Sequence, residues 1–241
     1  MSTEVEKLRD IINNSSSIVF FGGAGVSTES GIPDYRSADG LYNKTYMYPP
    51  ETILSYSFFK SYTEEFYRFY RKEMLYPAAE PNDAHKALAL LEEQGKLKAV
   101  ITQNVDGLHT KAGSKNVLEL HGSALNNFCM KCKQWYPIEF ILKSTGVPLC
   151  ECGGTIRPDV VLYEEGLNPA IISKATKAIY EADTLIVGGT SLNVYPAAGM
   201  INYYRGGNLV LINKSETSFD KYADLIIKES IGQTLREAVM L

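Results

Sequence analysis

Four groups of residues in this chain have the types and spacing that chemistry requires. The first is cysteine. All four cysteines fall in one short stretch, as Cys129-x2-Cys132 and Cys150-x-Cys152, with 17 residues between the pairs. Paired thiolates at this spacing can converge tetrahedrally on one Zn²⁺, and four protein ligands leave no open position, so such a metal is structural rather than catalytic. The second pair is one residue tighter than a usual knuckle, and Gly153-Gly154 behind it supply the backbone freedom a tight turn needs. Free core thiols or a redox pair are the other readings of the same residues.

The second group is Gly22-Gly23-Ala24-Gly25-Val26-Ser27, directly after an apolar run at 18–21. A strand entering a glycine turn and then a helix start lets a backbone approach a pyrophosphate, because no Cβ blocks it and free N–H groups face the anion. A nicotinamide dehydrogenase would carry a third Gly or Ala where Thr28 stands, and an acidic residue ~20 positions on, where the chain has Asn43. A plain strand-to-helix turn stays open on these residues alone. The third group is His121, at the end of an apolar run at 117–120. The end of a parallel strand points into the ligand crevice, and histidine titrates near neutrality, so it can serve as a general base. A structural histidine before Gly122 is the alternative. The fourth is Gln103, Asn104 and Asp106 after the run at 97–101, amides and a carboxylate that suit the carboxamide and hydroxyls of a nicotinamide riboside. His85 and His109 each sit early in an expected helix and read as packing or capping residues.

These groups need elements to hold them. Further short apolar runs at 185–187, 209–212 and 225–227 read as buried strands. Thr3 with Glu6 has the form of a capping box for a first helix carrying Val5, Leu8, Ile11 and Ile12. Asn82 can cap a helix through Leu91, and Asn168-Pro169 can start another through Tyr180. Strands alternating with helices predict an α/β fold, a doubly wound, Rossmann-like parallel sheet. Two stretches break the alternation: 42–77, rich in tyrosine and phenylalanine with a helix after Ser61, and 125–156, which holds the cysteines and Trp135. We expect them to form an inserted small zinc-binding lobe, leaving 1–41, 78–124 and 157–241 to the sheet domain.

The run Gly23-Ala24-Gly25-Val26-Ser27-Thr28-Glu29-Ser30-Gly31-Ile32-Pro33-Asp34-Tyr35-Arg36 resembles the first signature of the sirtuins. Thr102-Gln103-Asn104-Val105-Asp106-Gly107-Leu108-His109 and Leu120-His121-Gly122 resemble the second and third. Gly189-Thr190-Ser191-Leu192-Asn193-Val194-Tyr195-Pro196 and Ile212-Asn213 resemble two downstream NAD-binding segments. The order and spacing fit over nearly the whole chain, and the cysteines fall where that family carries zinc.

The resemblance implies an NAD-dependent protein-lysine deacetylase that transfers the acyl group to ADP-ribose. It implies that His121 is the catalytic base and that Asn104 positions the water or ribose near the reacting carbon. It assigns Gly23, Ala24, Gly25, Thr28, Asp34, Tyr35, Arg36, Gln103, Val105, Asp106, His121, Gly189, Thr190, Ser191, Asn213 and Ile231 to NAD. It makes Val160-Val161-Leu162-Tyr163, otherwise a β-branched edge strand, the wall of an acyl-lysine tunnel that pairs with an extended peptide. Two departures stand out: Tyr35 where the family usually has Phe, and Gly22 where many members carry Thr. Members that prefer succinyl or malonyl groups carry Tyr-x-x-Arg on a small-lobe helix. Here Phe66-Tyr67-Arg68-Phe69-Tyr70-Arg71 puts arginine one position late, so Arg71 is expected to turn away from a pocket lined by Tyr67. Mono-ADP-ribosylation of a protein and a non-catalytic NAD-binding zinc module are the competing functions.

Composition narrows the partners. With 45% hydrophobic and 22% charged residues, a net charge of −4 and no basic block, the chain reads as a soluble globular protein without a nucleic-acid groove. No apolar stretch approaches the ~20 residues that span a bilayer. The N-terminal residues are charged and lack an apolar signal core. The expected location is the cytoplasm, and the expected partners are acetylated-lysine proteins or peptides.

Overall fold

The structure, a computed structural model, describes residues 2–35, 37 and 40–241. Its strands are β1 (Ile18–Gly22), β2 (Leu97–Thr102), β3 (Val117–Glu119), β4 (Gly122–Cys129), β5 (Trp135–Pro137), β6 (Ile156–Val160), β7 (Thr184–Gly188), β8 (Asn208–Ile212) and β9 (Leu225–Ile227). Its helices are α1 (Thr3–Asn14), α2 (Pro50–Ile53), α3 (Tyr56–Ser61), α4 (Thr63–Glu73), α5 (Asp83–Glu93), α6 (Leu108–Lys111), α7 (Ile138–Lys143), α8 (Pro169–Glu181) and α9 (Ile231–Val239).

Six strands form one parallel sheet in the order β3-β2-β1-β7-β8-β9. The chain leaves β1 for β2 on one side and later returns to β7 on the other. The carboxyl ends of β1 and β7 therefore flank a switch point, where open α/β sheets bind ligands. β1 is buried on both faces, hence its unbroken apolar sequence. Its residues alternate by the pleat. Ile18 and Phe20 meet α1, α5 and α9 through Leu8, Leu88 and Leu235. Val19 and Phe21 meet Ala175 and Ile179 of α8, with Met200 and Ile201.

Capping follows the sequence at two helices and shifts at a third. Asn82 accepts from the Ala84 N–H at 2.9 Å, while Nδ1 of His85 accepts from the Asn82 N–H at 3.3 Å, closing a capping box on α5. Asn168 accepts from the Ala170 N–H at the start of α8. On α1 the cap is Ser2, whose Oγ accepts from Val5, and Thr3 is already helical. The expected Thr3–Glu6 box is thus displaced by one residue, because the serine just ahead reaches the same free N–H groups.

The remaining elements gather around a separate core of Phe58, Phe59, Phe66, Tyr67, Phe69, Tyr70, Ile141 and Ile156. The helix expected after Ser61 is α4, and two further helices, α2 and α3, precede it, too short for periodicity to reveal. An antiparallel sheet in the order β5-β4-β6 carries the cysteines. It overruns the 125–156 stretch at both ends, since Gly122 pairs with Val160 and Ser123 with Asp159. Gly122 has φ +74°, and a Cβ there would overlap the Asp159 carbonyl, so the turn from His121 into β4 needs glycine.

Candidate active site

A cleft of about 980 Å³ opens at the carboxyl ends of β1 and β7. Gly23, Ala24, Gly25, Thr28, Asp34, Tyr35, Gln103, Asn104, Val105 and His121 line it from one side. Gly189, Thr190, Ser191, Asn213 and Ile231 line the other, and Val160, Val161, Leu162 and Tyr163 form a third wall. Asp106 lines an adjoining cavity of about 340 Å³ that shares Ala24, Tyr35, Gln103, Asn104 and Val105 with the cleft. Arg36 lies outside the described residues.

The glycine turn is shaped by a close approach. The Gly25 N–H donates to the Gly189 carbonyl at 2.8 Å, and a Cβ on Gly25 would lie 2.8 Å from the Gly189 Cα. No larger residue fits there. The helix expected after this turn is instead two three-residue 3-10 turns, Ala24–Val26 and Thr28–Ser30. Gly31, at φ 82°, ends the second, and Pro33 has no N–H to extend it. The Asn82 side chain fixes both turns by donating to the Val26 carbonyl at 2.8 Å and Ser30 Oγ at 3.0 Å.

Gln103 organises the centre. Its Nε2 donates to Thr190 Oγ1 at 3.0 Å, linking the two sides of the switch point. Its carbonyl oxygen lies 2.9 Å from His121 Nδ1. A carbonyl only accepts, so Nδ1 carries the proton and Nε2 keeps the basic lone pair. Burial lowers the His121 pKa below the ordinary histidine range, against an opposing pull from the Gln103 carbonyl. The imidazole is therefore neutral at pH 7.

Ser27, which sequence reading passed over, proves to be a junction. Its hydroxyl donates to Asp106 Oδ2 at 2.7 Å and accepts from Asn104 Nδ2 at 3.1 Å. With its amide nitrogen engaged, buried Asn104 keeps its side-chain oxygen for the cleft. Burial raises the Asp106 pKa, while the Leu108 N–H and the Ser27 hydroxyl oppose it. The only sign of this role in the sequence was the place of Ser27 inside the first signature.

The cleft fits a dinucleotide by two observations. The backbone of the Gly23-Ala24-Gly25 turn lines the cleft at the carboxyl end of β1, where a phosphate can approach it. Asn213 Oδ1 accepts from the Thr190 N–H at 2.9 Å, while its buried Nδ2 has no partner and is a spare donor.

The third wall is only in part the edge strand of its alternative reading. Strand β6 stops at Val160, and 161–163 leave the sheet. The Val161 N–H donates to the His121 carbonyl at 2.9 Å and the Tyr163 N–H to Leu54 at 3.0 Å. The Arg157 guanidinium braces the bend with a bidentate pair to Glu165, at 2.7 and 2.9 Å, and a bond to the Val160 carbonyl. Tyr67 does not line the cleft. Its ring is fully buried and its hydroxyl donates to the Ile156 carbonyl. Arg71 turns away as expected, bonding the Ile141 and Gly146 carbonyls and Ser144 Oγ. His85 and His109 also stay out of the cleft, buried with rings 4.6 Å apart.

Away from the cleft, the sulfur atoms of Cys129, Cys132, Cys150 and Cys152 all lie within 4.8 Å of one another, with two pairs at 3.5 Å. Zinc–sulfur bonds of about 2.3 Å put the edge of a tetrahedron at about 3.8 Å, so the four thiolates fit zinc. The Cys132 and Lys131 N–H groups hold the Cys129 thiol down to about 6, and the Tyr136 hydroxyl donates to Cys150 Sγ at 3.0 Å.

The model of the Sir2 family matches residues 23–196. An NAD-dependent protein deacetylase of Clostridium perfringens is 60% identical, over 99% of this chain and all of that one. One from Clostridium acetobutylicum is 58% identical, over 98% of each. Among solved structures, a Sir2 variant with deacetylated p53 peptide and 3′-O-acetyl ADP ribose superposes with a TM-score of 0.91. It is 41% identical and the match covers 99% of this chain and 98% of that one.

Proposed function

The chain belongs to the Sir2 family, and from that premise we propose that it is an NAD-dependent protein-lysine deacetylase. The acetyl group passes to ADP-ribose, one water is consumed in releasing the amine, and the products are free lysine, nicotinamide and O-acetyl-ADP-ribose. One observation carries the reading. His121 stands in the cleft as a neutral imidazole with Nδ1 tied to a backbone carbonyl, which leaves Nε2 as the base. A protein that only stores or senses a dinucleotide has no use for that arrangement.

NAD, when bound, supplies an electrophilic ribose carbon and a nicotinamide leaving group. The chain's own residues do the rest. The glycine turn, Thr28 and the 189–191 turn hold the phosphates and riboses, and Asn213 Nδ2 donates to the nucleotide. Asn104, fixed by Ser27, directs its oxygen at the reacting sugar, where positive charge develops. Tyr35 covers the nicotinamide side and excludes water. His121 Nε2 takes a proton from a ribose hydroxyl, and the Gln103 carbonyl stabilises the imidazolium.

The wall at 160–163 offers backbone groups to an extended peptide, so recognition rests on main-chain pairing and tolerates varied sequence. Its substrates are acetylated-lysine proteins or peptides, with neither nucleic acid nor membrane as a partner. Among the described residues no helix is long and apolar enough to cross a membrane. We place the reaction in the cytoplasm, where thiols stay reduced and free to bind metal. Cys129, Cys132, Cys150 and Cys152 hold one structural zinc. We assign β4 and β6 to the zinc lobe, with the sheet domain taking the rest of 1–41, 78–124 and 157–241.

Mass spectrometry of an acetyl-lysine peptide incubated with the protein and NAD tests the reading. Loss of the acetyl mass is expected. Gain of an ADP-ribose mass with the acetyl group intact would make the chain an ADP-ribosyltransferase instead.

A further inference from the structure

One polar contact in the cleft joins walls that the proposed chemistry treats separately. The hydroxyls of Tyr42 and Tyr163 lie 2.7 Å apart, although the residues are 121 positions apart in sequence. Both line the cleft. Tyr163 belongs to the acyl-lysine wall and is anchored from both sides of its peptide unit. Its N–H donates to the Leu54 carbonyl and its carbonyl accepts from Tyr56, each at 3.0 Å. Tyr42 belongs to the segment behind the glycine turn. Its N–H donates to the Tyr35 carbonyl at 2.8 Å, and the two rings pack with centroids 5.4 Å apart. Burial and the bond to Tyr163 both raise the Tyr42 pKa, so the Tyr42 phenol stays protonated and able to donate.

A continuous chain thus runs from Tyr163 through Tyr42 to Tyr35, the ring over the nicotinamide side. We propose that the Tyr42–Tyr163 hydroxyl bridge is a positioning latch that couples acyl-lysine binding to cofactor binding. An acyl-lysine lying against the Tyr163 ring restricts its hydroxyl. That hydroxyl holds Tyr42, and Tyr42 sets the backbone and ring of Tyr35. Each ligand then organises the other's wall, and linkage requires the effect to be reciprocal. Neither hydroxyl touches reacting atoms, so the latch acts on affinity and order rather than on the chemical step. The inference rests on the deacetylase reading, because it needs acyl-lysine and dinucleotide in one cleft.

The test uses ADP-ribose and an acetyl-lysine peptide, a pair that binds without reacting. ADP-ribose affinity is measured by calorimetry with and without saturating peptide, for the wild type, Tyr42→Phe, Tyr163→Phe and the double variant. Phenylalanine keeps each ring and deletes only the hydroxyl. In the wild type, peptide should tighten ADP-ribose. Either single variant should lower that coupling about 2- to 10-fold, the range for one neutral hydrogen bond, and the double variant should lower it no further. The reciprocal titration should give the same factor. A wild type with no coupling, unchanged coupling in the single variants, or losses that add in the double variant would overturn the latch alone. A wild type that binds neither ligand would overturn the deacetylase reading and the latch with it.

Discussion

The cleft and the cysteine knuckle are both clusters of polar side chains, and they are built on opposite terms. In the cleft, polar groups satisfy one another and leave single atoms over: the Gln103 carbonyl takes His121 Nδ1, Ser27 takes Asn104 Nδ2, and Thr190 takes Gln103 Nε2. The spare atoms face the place where substrate binds, and the surrounding sheet holds them whether or not anything is bound. In the knuckle, four sulfurs converge at distances that suit a metal, and the Lys131 and Cys132 N–H groups and the Tyr136 hydroxyl reach two of them. One region is pre-organised by its own hydrogen bonds, and the other is completed by an ion. Perturbing the first should therefore change rate at constant stability. Perturbing the second should change stability first and rate only as a consequence.

The largest expected effect breaks the cleft. His121→Ala should cut deacetylation by ~10²–10⁴ while NAD and peptide affinities move only a few-fold, because a lost general base costs rate and not binding. Steady-state kinetics beside calorimetry checks this, and near-normal turnover would remove His121 from the mechanism. The base acts when neutral and its pKa is lowered in the fold. The rate should thus hold from pH 8 to below 6.5 and fall as pH drops through the lowered value.

Acyl selectivity comes next. Arg71 is committed to carbonyls behind the small-lobe core, and Arg68 pairs with Glu65 at the surface. Among the described lining residues of the cleft, the one lysine or arginine is Lys214, just past Asn213 on the nucleotide side. Among the described residues, none offers a succinyl carboxylate a cation at the acyl-lysine wall. Acetyl-lysine should be preferred over succinyl-lysine by at least ~10² in kcat/KM. Paired assays on one peptide decide it, and comparable rates would mean that the wall opens to recruit Arg71.

Stripping the metal separates the two regions. Elemental analysis should find about one zinc per chain. Chelation or Cys129→Ala should lower the melting temperature, as structural zinc binding is coupled to folding. A metal-free protein with unchanged melting would show that the aromatic core around Phe59 and Tyr67 carries the lobe by itself.

The last effect is a pH dependence in neither region. Burial depresses the pKa of His85 to about 4 and that of His109 to about 3. Both are neutral when folded and near 6.5 when unfolded. Their contribution is complete above 6.5 and is lost as pH falls toward the folded values. Stability should drop by on the order of 3 kcal/mol between pH 6.5 and 5. Denaturant titrations across that range, compared with a His85→Gln/His109→Gln double variant, should show the slope flatten. An unchanged slope would place the proton uptake elsewhere.

Legibility in the sequence also divided by region. The central sheet strands could be read because they are buried on both faces and so are apolar, as at Ile18 to Phe21 and Leu185 to Val187. Asn82 and Asn168 announced their helices by ordinary capping. The cysteines announced a metal by spacing. Helices α2 and α3 were hidden because four and six residues hold too little periodicity. Ser27 was hidden because its partners, Asn104 and Asp106, lie 77 and 79 positions away and a serine after glycines reads as a turn. Tyr67 was misplaced because helical spacing shows which residues share a face but not whether that face meets a core or a cleft.

The measurement that bears most directly on the whole reading is a product balance. The protein is incubated with an acetyl-lysine peptide and NAD, and nicotinamide, O-acetyl-ADP-ribose and deacetylated peptide are quantified together. Equal amounts of all three, none without NAD and almost none from His121→Ala, is the expected result. Nicotinamide released without loss of acetyl groups, or peptide deacetylated without NAD, would contradict it.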